Sequence, residues 1–462
     1  MLTLKIKYCF ENESDMLLVH DYMNQYNHVF RVAYNKLYNG KQVKQSELIS
    51  LNNTELLDSW FVISAIYDAK SLYGSKKDEK VIFGGRNNFI KRCQGKISKN
   101  EFKLKRLSPL CSVGERKSGT KSVHGNRKFK LSDDLSFVTF KANNKKIKLN
   151  LCRLKPSYKN KLVEIYKHQV LDDTPITYKL DLNYVYITVD EKIFSEKSYK
   201  HIENRVFAVD LNPNYVGWSV VDWVGSDNFN VVASGVVSTK EINDIHFFLK
   251  NEKLSSNPNK RIAINNKRVF EIYEITKFLV NKALHYKCSI FSMEELNMES
   301  SDKGNGKKYN SLCNNLWNRK KMRDNLLKRC NMYNIVFQEV KPNYSSFVGN
   351  FLFRDLKLPD MVLASIEISR RGYEFYNQYV SKKKEIQKNI IHPNVEDFYD
   401  RFTKSLEEFG LSRNFNNLVD VYAFIKNSKM MYRVSLDSLN PKFCRLKSNK
   451  SLVKLCDFCN NS

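Results

Sequence analysis

The sequence lacks any stretch approaching 18 consecutive apolar residues and has a mean hydropathy of −0.50, which argues against a membrane-spanning helix. Its start, MLTLKIKYCFENESDM, has no long apolar core and carries acidic residues early, so it does not resemble a secretory signal. The ten cysteines are scattered mostly singly, which is typical of reduced thiols rather than of a disulfide framework. We therefore expect a cytoplasmic protein with no membrane partner.

Acidic residues are in deficit. The chain has 77 Lys and Arg against 49 Asp and Glu, so 77 − 49 gives a net charge of +28. Such a surplus favours a polyanionic partner, above all nucleic acid. An acidic membrane surface and a merely solvated basic surface are the alternatives. With 462 residues, 42% of them hydrophobic, the chain is long enough for about three domains or one large bilobed body.

The two halves of the chain differ in hydrophobic pattern. Apolar spacing predicts a strand over 2–10, helices over 15–37 and 53–70, and short alternating strands over 135–200, whereas 74–130 reads as basic loops and short elements. The first 200 residues therefore read as helices inserted between barrel-like strands.

From about residue 205 the pattern becomes α/β. Three consecutive strands are predicted, VFAVDLN, YVGWSVVDW and VVASGVVS, and two later strands, CSIFSMEEL and IVFQEV. Helices are predicted over 267–286, 309–333, 360–379 and 416–427.

Three acids occupy positions suited to metal chemistry. Asp210 ends an otherwise apolar strand, where a carboxylate is costly without a positive partner. Glu294 and Glu295 end another strand, and their side chains must point to opposite faces. Asp360 begins a helix, a position that capping alone would also explain. Carboxylates from two strands and a helix could converge on two Mg²⁺ ions.

These segments resemble the RuvC-type nuclease domain of TnpB-like proteins and related type V CRISPR effectors. AVDLNPNYVGWSV resembles the first motif, and FSMEELNM resembles the second and selects Glu294. IVFQEVKPNYSS resembles the strand and Tyr-Ser-Ser turn that follow, and PDMVLASIEISRRG is similar to the third motif. The motifs span about 205–375. The opening strand and SDMLLVHDYMNQYNHVFRVAYNKL also look like the N-terminal wedge of this family.

The resemblance implies a bilobed α+β protein, with an N-terminal β-barrel-like wedge carrying a helical recognition insertion and a C-terminal RNase H-like (RuvC) α/β nuclease domain. The expected divisions are a wedge and recognition half (1–203), a nuclease core (204–380) and a basic C-terminal segment (381–462). It implies guide RNA and target DNA as partners in a bacterial, archaeal or phage-infected cell. Asp210, Glu294 and Asp360 would be catalytic and hold two Mg²⁺ ions.

Two features depart from this family's pattern. Residues 346–359 contain no cysteine, and Cys456–Cys459 with Cys444 upstream is only half a zinc site, so we expect no structural zinc. The spacing of the third motif is one residue out, which leaves Asp420 and Glu367 as alternatives to Asp360.

Basic residues near Gly-rich turns and on the helix before the third motif are the candidate nucleic-acid contacts, with a solvated charged face as the alternative. They are Arg86, Lys91, Arg92, Lys105, Arg106, Arg127, Lys128, Arg319, Lys320 and Arg323.

The leading hypothesis is an RNA-guided DNA endonuclease in which two metal ions assist hydrolysis of the phosphodiester. One alternative is an RNA-guided DNA-binding repressor of the same family that does not cut. Another is a guide-free, structure-selective nuclease.

Overall fold

The computed structural model describes residues 1–50, 57–75, 80–116, 122–142, 145–195, 199–225, 228–241, 243–244, 258–295, 319–380, 407, 418–427, 433, 435–439, 441–445 and 453–458. The chain divides into two compact units, Met1–Phe194 and Ser195–Ser462. The boundary predicted between residues 203 and 204 lies a few residues C-terminal to the boundary between these two units.

The first unit is built on a seven-stranded antiparallel sheet with the order β2-β6-β7-β1-β5-β4-β3. Its strands are β1 (Leu2–Phe10), β2 (Leu110–Ser112), β3 (Phe129–Leu131), β4 (Phe137–Ala142), β5 (Lys145–Leu151), β6 (Thr177–Leu180) and β7 (Tyr184–Val189). Its helices are α1 (Glu13–Tyr38), α2 (Gln45–Ser50), α3 (Ser59–Ser75), α4 (Arg86–Cys93), α5 (Lys99–Lys105) and α6 (Pro156–Leu171).

Buried and outward residues alternate along these strands, as strand geometry requires. In β1, Leu4, Ile6 and Tyr8 are buried, while the residues between them are exposed. Asn126 ties the two ends of the sheet together, because its Oδ1 accepts hydrogen bonds from Ser112 Oγ of β2 (2.9 Å) and from the Phe129 amide of β3 (3.0 Å). The sheet is therefore nearly closed, and its interior forms one hydrophobic core with the buried residues of α1 and α3.

The second unit contains a mixed seven-stranded sheet with the order β12-β11-β8-β9-β10-β14-β13. Its strands are β8 (Ile202–Leu211), β9 (Tyr215–Trp223), β10 (Phe229–Ser238), β11 (Cys288–Glu294), β12 (Val336–Val340), β13 (Cys444–Arg445) and β14 (Lys454–Phe458). Its helices are α7 (Pro258–His285), α8 (Arg319–Met332), α9 (Ser345–Leu352), α10 (Asp360–Val380) and α11 (Leu418–Asn427).

The second sheet is covered on both faces. Phe207, Val209 and Trp218 on one face form a core with apolar residues of α7 and α8. On the other face, Val206 and Val221 form a core with apolar residues of α10. Strands covered on both sides read as continuous apolar runs, which explains why β8 and β9 are so apolar in the sequence.

The prediction of a mixed α+β chain with a nearly closed antiparallel sheet and a second sheet is confirmed. Several boundaries differ: α7 begins nine residues before the predicted 267 and α3 extends five residues beyond the predicted 70. Residues 309–318 of the predicted basic helix lie outside the described residues, and α8 covers the remainder up to Met332. None of the helices in the described ranges combines the length and apolar character that a membrane span requires.

Candidate active site

Asp210 and Glu294 lie at the ends of two adjacent parallel strands. The last paired residues of β8 and β11 are Val209 and Met293, and each acid is the next residue along its strand. Neighbouring strands lie about 4.8 Å apart, and laterally adjacent residues of parallel strands project from the same face. Both carboxylates therefore project from the face that α10 covers, and both are buried, with exposed fractions of 5% and 8%.

Gly217 brings the start of α10 onto this part of the sheet. It pairs with Asp210 across β8 and β9, and antiparallel partners project from the same face. A Cβ atom at Gly217 would lie 2.4 Å from the carbonyl oxygen of Met361, so the first turn of α10 rests directly on the glycine backbone. Asp360, half-buried and next to Met361, is thereby placed over the same face as the two strand acids.

Each carboxylate has a nearby hydrogen-bond donor. The side-chain amide of Asn212 donates to Oδ2 of Asp210 at 2.7 Å. The hydroxyl of Ser345, at the start of α9, donates to Oε1 of Glu294. Asp360 accepts a hydrogen bond from the backbone amide of Met361 at 2.8 Å. These donors fix the orientation of each carboxylate.

The acids raise one another's cost of ionisation. Burial raises the pKa of Asp210 well above its usual value of 3.8, and the negative charges of Glu294 and Asp360 raise it further. Burial also raises the pKa of Glu294 and that of Asp360.

Three arginines oppose these shifts. The guanidinium of Arg433 lowers the pKa of both Asp210 and Asp360. Arg371 and Arg319 lower the pKa of Glu294. Arg371 also donates from Nη1 to the carbonyl oxygens of Lys341 (2.7 Å) and Asn343 (2.9 Å), which fixes the loop just before Ser345.

The donor set suits a hard divalent cation. Such ions prefer carboxylate oxygens, and a cation between buried carboxylates removes their mutual repulsion. Within the described ranges, however, no group of three or more His, Cys, Asp or Glu side chains is arranged so that it could hold a metal ion. Asp210, Glu294 and Asp360 thus share one face of the sheet without forming a closed three-ligand site.

The alternative acids lie in different surroundings. Glu367 is fully buried between two arginines, accepting hydrogen bonds from Arg370 Nε (2.8 Å) and Arg371 Nε (2.7 Å). Its carboxylate is neutralised by these partners, which argues against a role as a metal ligand. Asp420 is exposed in the first turn of α11. Glu295 lies 3.8 Å from Lys341 in a partly exposed ion pair.

The predicted nucleic-acid contacts fall into two groups. Several lie on or beside α4 and α5, helices without a buried residue. In this group Arg86, Lys91 and Lys105 are exposed, Arg92 is half-buried, and Arg106 lies over the Phe102 ring. Arg319 and Lys320 begin α8, where Lys320 is exposed.

The second group already has acidic partners. Arg127 donates to Glu115, Lys128 donates to Asp58, and Arg323 donates to both carboxylate oxygens of Glu339 at 2.7 and 2.6 Å. Arg127 also lies over the Trp60 ring at 4.6 Å. These contacts give the three residues structural roles within the fold.

The cysteines of the half zinc site are only partly described. Cys444 pairs with Leu455 across β13 and β14, next to Cys456, whereas Cys459 lies outside the described residues. The eight cysteines of the described part of the chain are free thiols.

Sequence reasoning missed the residues that support the acids: Asn212, Gly217, Ser345, Arg371 and Arg433. Four of them stand within or beside the motif segments, where only their contacts distinguish them from neighbours. Arg433 lies far along the chain with no local signal at all.

A family model described as SSO2105 N-terminal domain matches residues 1–199, which is less than half of the chain. No curated protein matches.

Two solved complexes overlap with the chain. The cryo-EM structure of a Cas12f1–sgRNA–target DNA complex has 14% identity and a TM-score of 0.43, covering 78% of this chain and 83% of that one. A CRISPR-Cas12f ternary complex has 13% identity and a TM-score of 0.26, covering 77% of this chain and 82% of that one. Overlaps of this extent do not establish a shared fold.

Proposed function

We propose that the chain is an RNA-guided DNA endonuclease whose active site is formed by Asp210, Glu294 and Asp360. The observation that carries this proposal is the placement of two buried carboxylates at adjacent strand ends, on the face where the helix headed by Asp360 begins. Burial of like charges is unfavourable in an ordinary core. It is understandable where the acids share a cation.

Asp210 and Glu294 would hold Mg²⁺ ions, with Asp360 completing the donor set. When bound, the ions would supply activation of water and stabilisation of the leaving oxygen of a phosphodiester. Asn212 orients Asp210 through its hydrogen bond to Oδ2, and Ser345 does the same for Glu294 at Oε1. No side chain of the site is required to act as a nucleophile.

The RNA-guided part of the proposal rests on charge and on the motif resemblance. A net charge of +28 suits a protein that holds nucleic-acid backbones, while base pairing with a guide would select the sequence. The partners are therefore a guide RNA and a target DNA. The motif segments that resemble RuvC-type nucleases contain all three acids.

Cleavage by the full chain with its copurifying RNA tests this function. The RNA is sequenced, and a plasmid carrying the matching target is incubated with protein and Mg²⁺. Wild type should cut, Asp210→Ala should lose cutting by at least about 10³-fold, and EDTA should abolish it. Asp437→Ala, which removes an exposed acid of the same unit, is the matched control and should cut normally. Unchanged cutting by Asp210→Ala would overturn the site.

A second candidate is an RNA-guided DNA-binding protein that does not cut. It is favoured by the lack of a closed three-ligand metal group among the described residues. Target-specific binding without cutting, equal in wild type and Asp210→Ala, would select this candidate. Cutting that persists after RNase treatment would instead indicate the guide-free nuclease.

A further inference from the structure

The outer face of the first sheet carries a group of lysines that the motif analysis did not single out. The alternation of β1, β3, β4 and β5 buries one set of side chains and turns the other set outward. The outward set on these strands includes six lysines, which we call the lysine face: Lys5, Lys7, Lys130, Lys141, Lys146 and Lys148.

Strand register brings like charges together on this face. Lys141 of β4 lies directly opposite Lys146 of β5. Thr139 lies opposite Lys148 on one side and opposite Lys130 on the other. Like charges directly opposite each other destabilise a sheet, so this arrangement costs stability in the isolated protein. A partner that brings negative charge would offset the cost.

The acids near this face do not neutralise its centre. Glu11 pairs with Lys148 at 2.9 Å, and Asp15 pairs with Lys145 at 2.6 Å. Asp172 accepts hydrogen bonds from Ser122 and from the backbone amides of residues 123 and 125. Within the described part of the chain, Lys130, Lys141 and Lys146 form no ion pair.

The electrostatics of Lys130 reflect this crowding. Burial lowers its pKa, and the ammonium groups of Lys146 and Lys141 lower it further against the opposing charge of Asp172. The crowding is therefore a property of the folded sheet and not only of the sequence.

Aromatic and hydroxyl groups lie among the lysines. The Lys148 ammonium lies 4.5 Å from the centre of the Phe137 ring, and the Lys5 ammonium lies 4.0 Å from that of Tyr184. The Thr139 hydroxyl is placed between two lysine positions. Lysines suit phosphates, rings suit unstacked bases, and a hydroxyl suits the 2′-hydroxyl of ribose.

We propose that the lysine face binds a single-stranded RNA segment, with Lys130, Lys141 and Lys146 contacting successive phosphates and Thr139 contacting a ribose 2′-hydroxyl. Rings and a hydroxyl interleaved with the lysines favour RNA over an acidic membrane surface, which would be attracted by the lysines alone. This binding does not depend on the proposed nuclease chemistry, because the face lies in the first unit and uses none of the three acids.

Salt-dependent RNA binding tests the proposal. The full chain, freed of copurifying RNA, is titrated against a fluorescein-labelled 20-nucleotide single-stranded RNA in EDTA at several KCl concentrations. A variant with Lys130→Gln, Lys141→Gln and Lys146→Gln should bind at least about tenfold more weakly at 50 mM salt. The slope of log K against log salt should shrink by about 2, since each lost phosphate contact contributes about 0.7.

Lys155→Gln, Lys159→Gln and Lys167→Gln together form the matched control, because these lysines are exposed in the same unit but lie at or on α6. The control should keep the wild-type affinity within about twofold, because its lysines lie outside the face. The lysine-face variant should melt no lower than wild type, since it removes repulsion, so lost binding cannot be attributed to unfolding.

Equal slopes for the two triple variants would overturn the proposal. Thr139→Val should weaken RNA binding but leave binding of the same DNA sequence unchanged. A loss in Thr139→Val that is as large for DNA as for RNA would overturn the assignment of RNA. If the lysine-face variant lost binding to phosphatidylserine vesicles but kept its binding to RNA, the proposal would be overturned in favour of a membrane partner. Because the titration is done in EDTA and measures binding alone, its outcome does not depend on whether the chain cuts nucleic acid.

Discussion

Gly217 and Met361 are in backbone contact: a Cβ atom added at Gly217 would lie 2.4 Å from the Met361 carbonyl oxygen and 2.6 Å from its carbonyl carbon. This contact seats the first turn of α10 on the strand that pairs with Asp210. Because Gly217 has no side chain, the first turn of α10, and Asp360 with it, can lie this close to the strands that carry the other two acids.

Gly217→Ala should displace the start of α10 and reduce activity strongly. The added methyl meets backbone atoms that cannot move aside by rotation, so we expect a loss of about 1–3 kcal/mol in the free energy of unfolding, as for other overpacked cores. Thermal melting and the cleavage assay measure the two effects. Gly225→Ala is the control, since nothing lies within 4 Å of its added Cβ. Equal melting temperatures for Gly217→Ala, Gly225→Ala and wild type would contradict the contact between Gly217 and Met361.

Asp210→Asn should stabilise the metal-free protein at pH 8. The folded-state pKa of Asp210 lies above its usual value of 3.8, so the wild type has its full stability below that pH and loses stability as pH rises through the folded-state pKa. Asparagine carries no charge and avoids this loss. In EDTA we expect a melting temperature at least about 2–4 °C higher, which corresponds to about 1 kcal/mol in a domain of 150–250 residues.

The difference between Asp210→Asn and wild type should shrink toward pH 5. With saturating Mg²⁺ it should reverse, because ion binding stabilises only the wild type. Asp437→Asn, at an exposed acid, should change neither result. A lower melting temperature for Asp210→Asn in EDTA would show that the carboxylate is stabilised by something other than a cation.

Glu367→Gln should destabilise the second unit severely. Its carboxylate is fully buried and pairs with two arginines that are each 1% exposed, so neutralising it leaves two buried positive charges with too few partners. Breaking such a buried network costs about 3–5 kcal/mol. The partly exposed Glu295→Gln is the control and should cost less than about 1 kcal/mol. Chemical denaturation measures both, and a mild effect of Glu367→Gln would contradict the ion cluster.

Arg323→Gln should leave the salt dependence of nucleic-acid binding unchanged while lowering stability. Arg323 donates to both oxygens of Glu339 and thereby joins α8 to β12, so its charge is already compensated. Lys320→Gln, at an exposed position on the same helix, should reduce the slope of log K against log salt by about 0.7–0.9 if that helix contacts phosphates. A reduced slope for Arg323→Gln would place Arg323 at the nucleic acid instead.

Periodicity predicted most strands and helices because hydrophobic alternation is a local property. The apolar runs of β8 and β11 correctly indicated strands, and the order of elements placed Asp210 and Glu294 at strand ends. The partners of individual side chains, in contrast, could not be predicted from the local sequence. Lys128 is paired with Asp58, 70 residues away, and nothing in the local sequence distinguishes it from a lysine facing solvent.

The candidate site shows the same division between local and long-range information. The acids are visible because a carboxylate interrupts an apolar run. Gly217 is part of a strand, and only the folded structure reveals that its missing side chain makes room for α10. The lysine face was not predicted either, because its members come from four strands and become neighbours through register alone.

β1 pairs with β5 and β7, strands that are translated much later. At about 5–20 residues per second, a ribosome reaches β7 about 10–40 s after β1. Until β5 is made, Leu4, Ile6 and Tyr8 have no sheet partner and could associate with other nascent chains. Lys5 and Lys7 alternate with them, and charges in this position act as gatekeepers against aggregation. The same lysines that line the mature surface would thus protect the protein during its own synthesis.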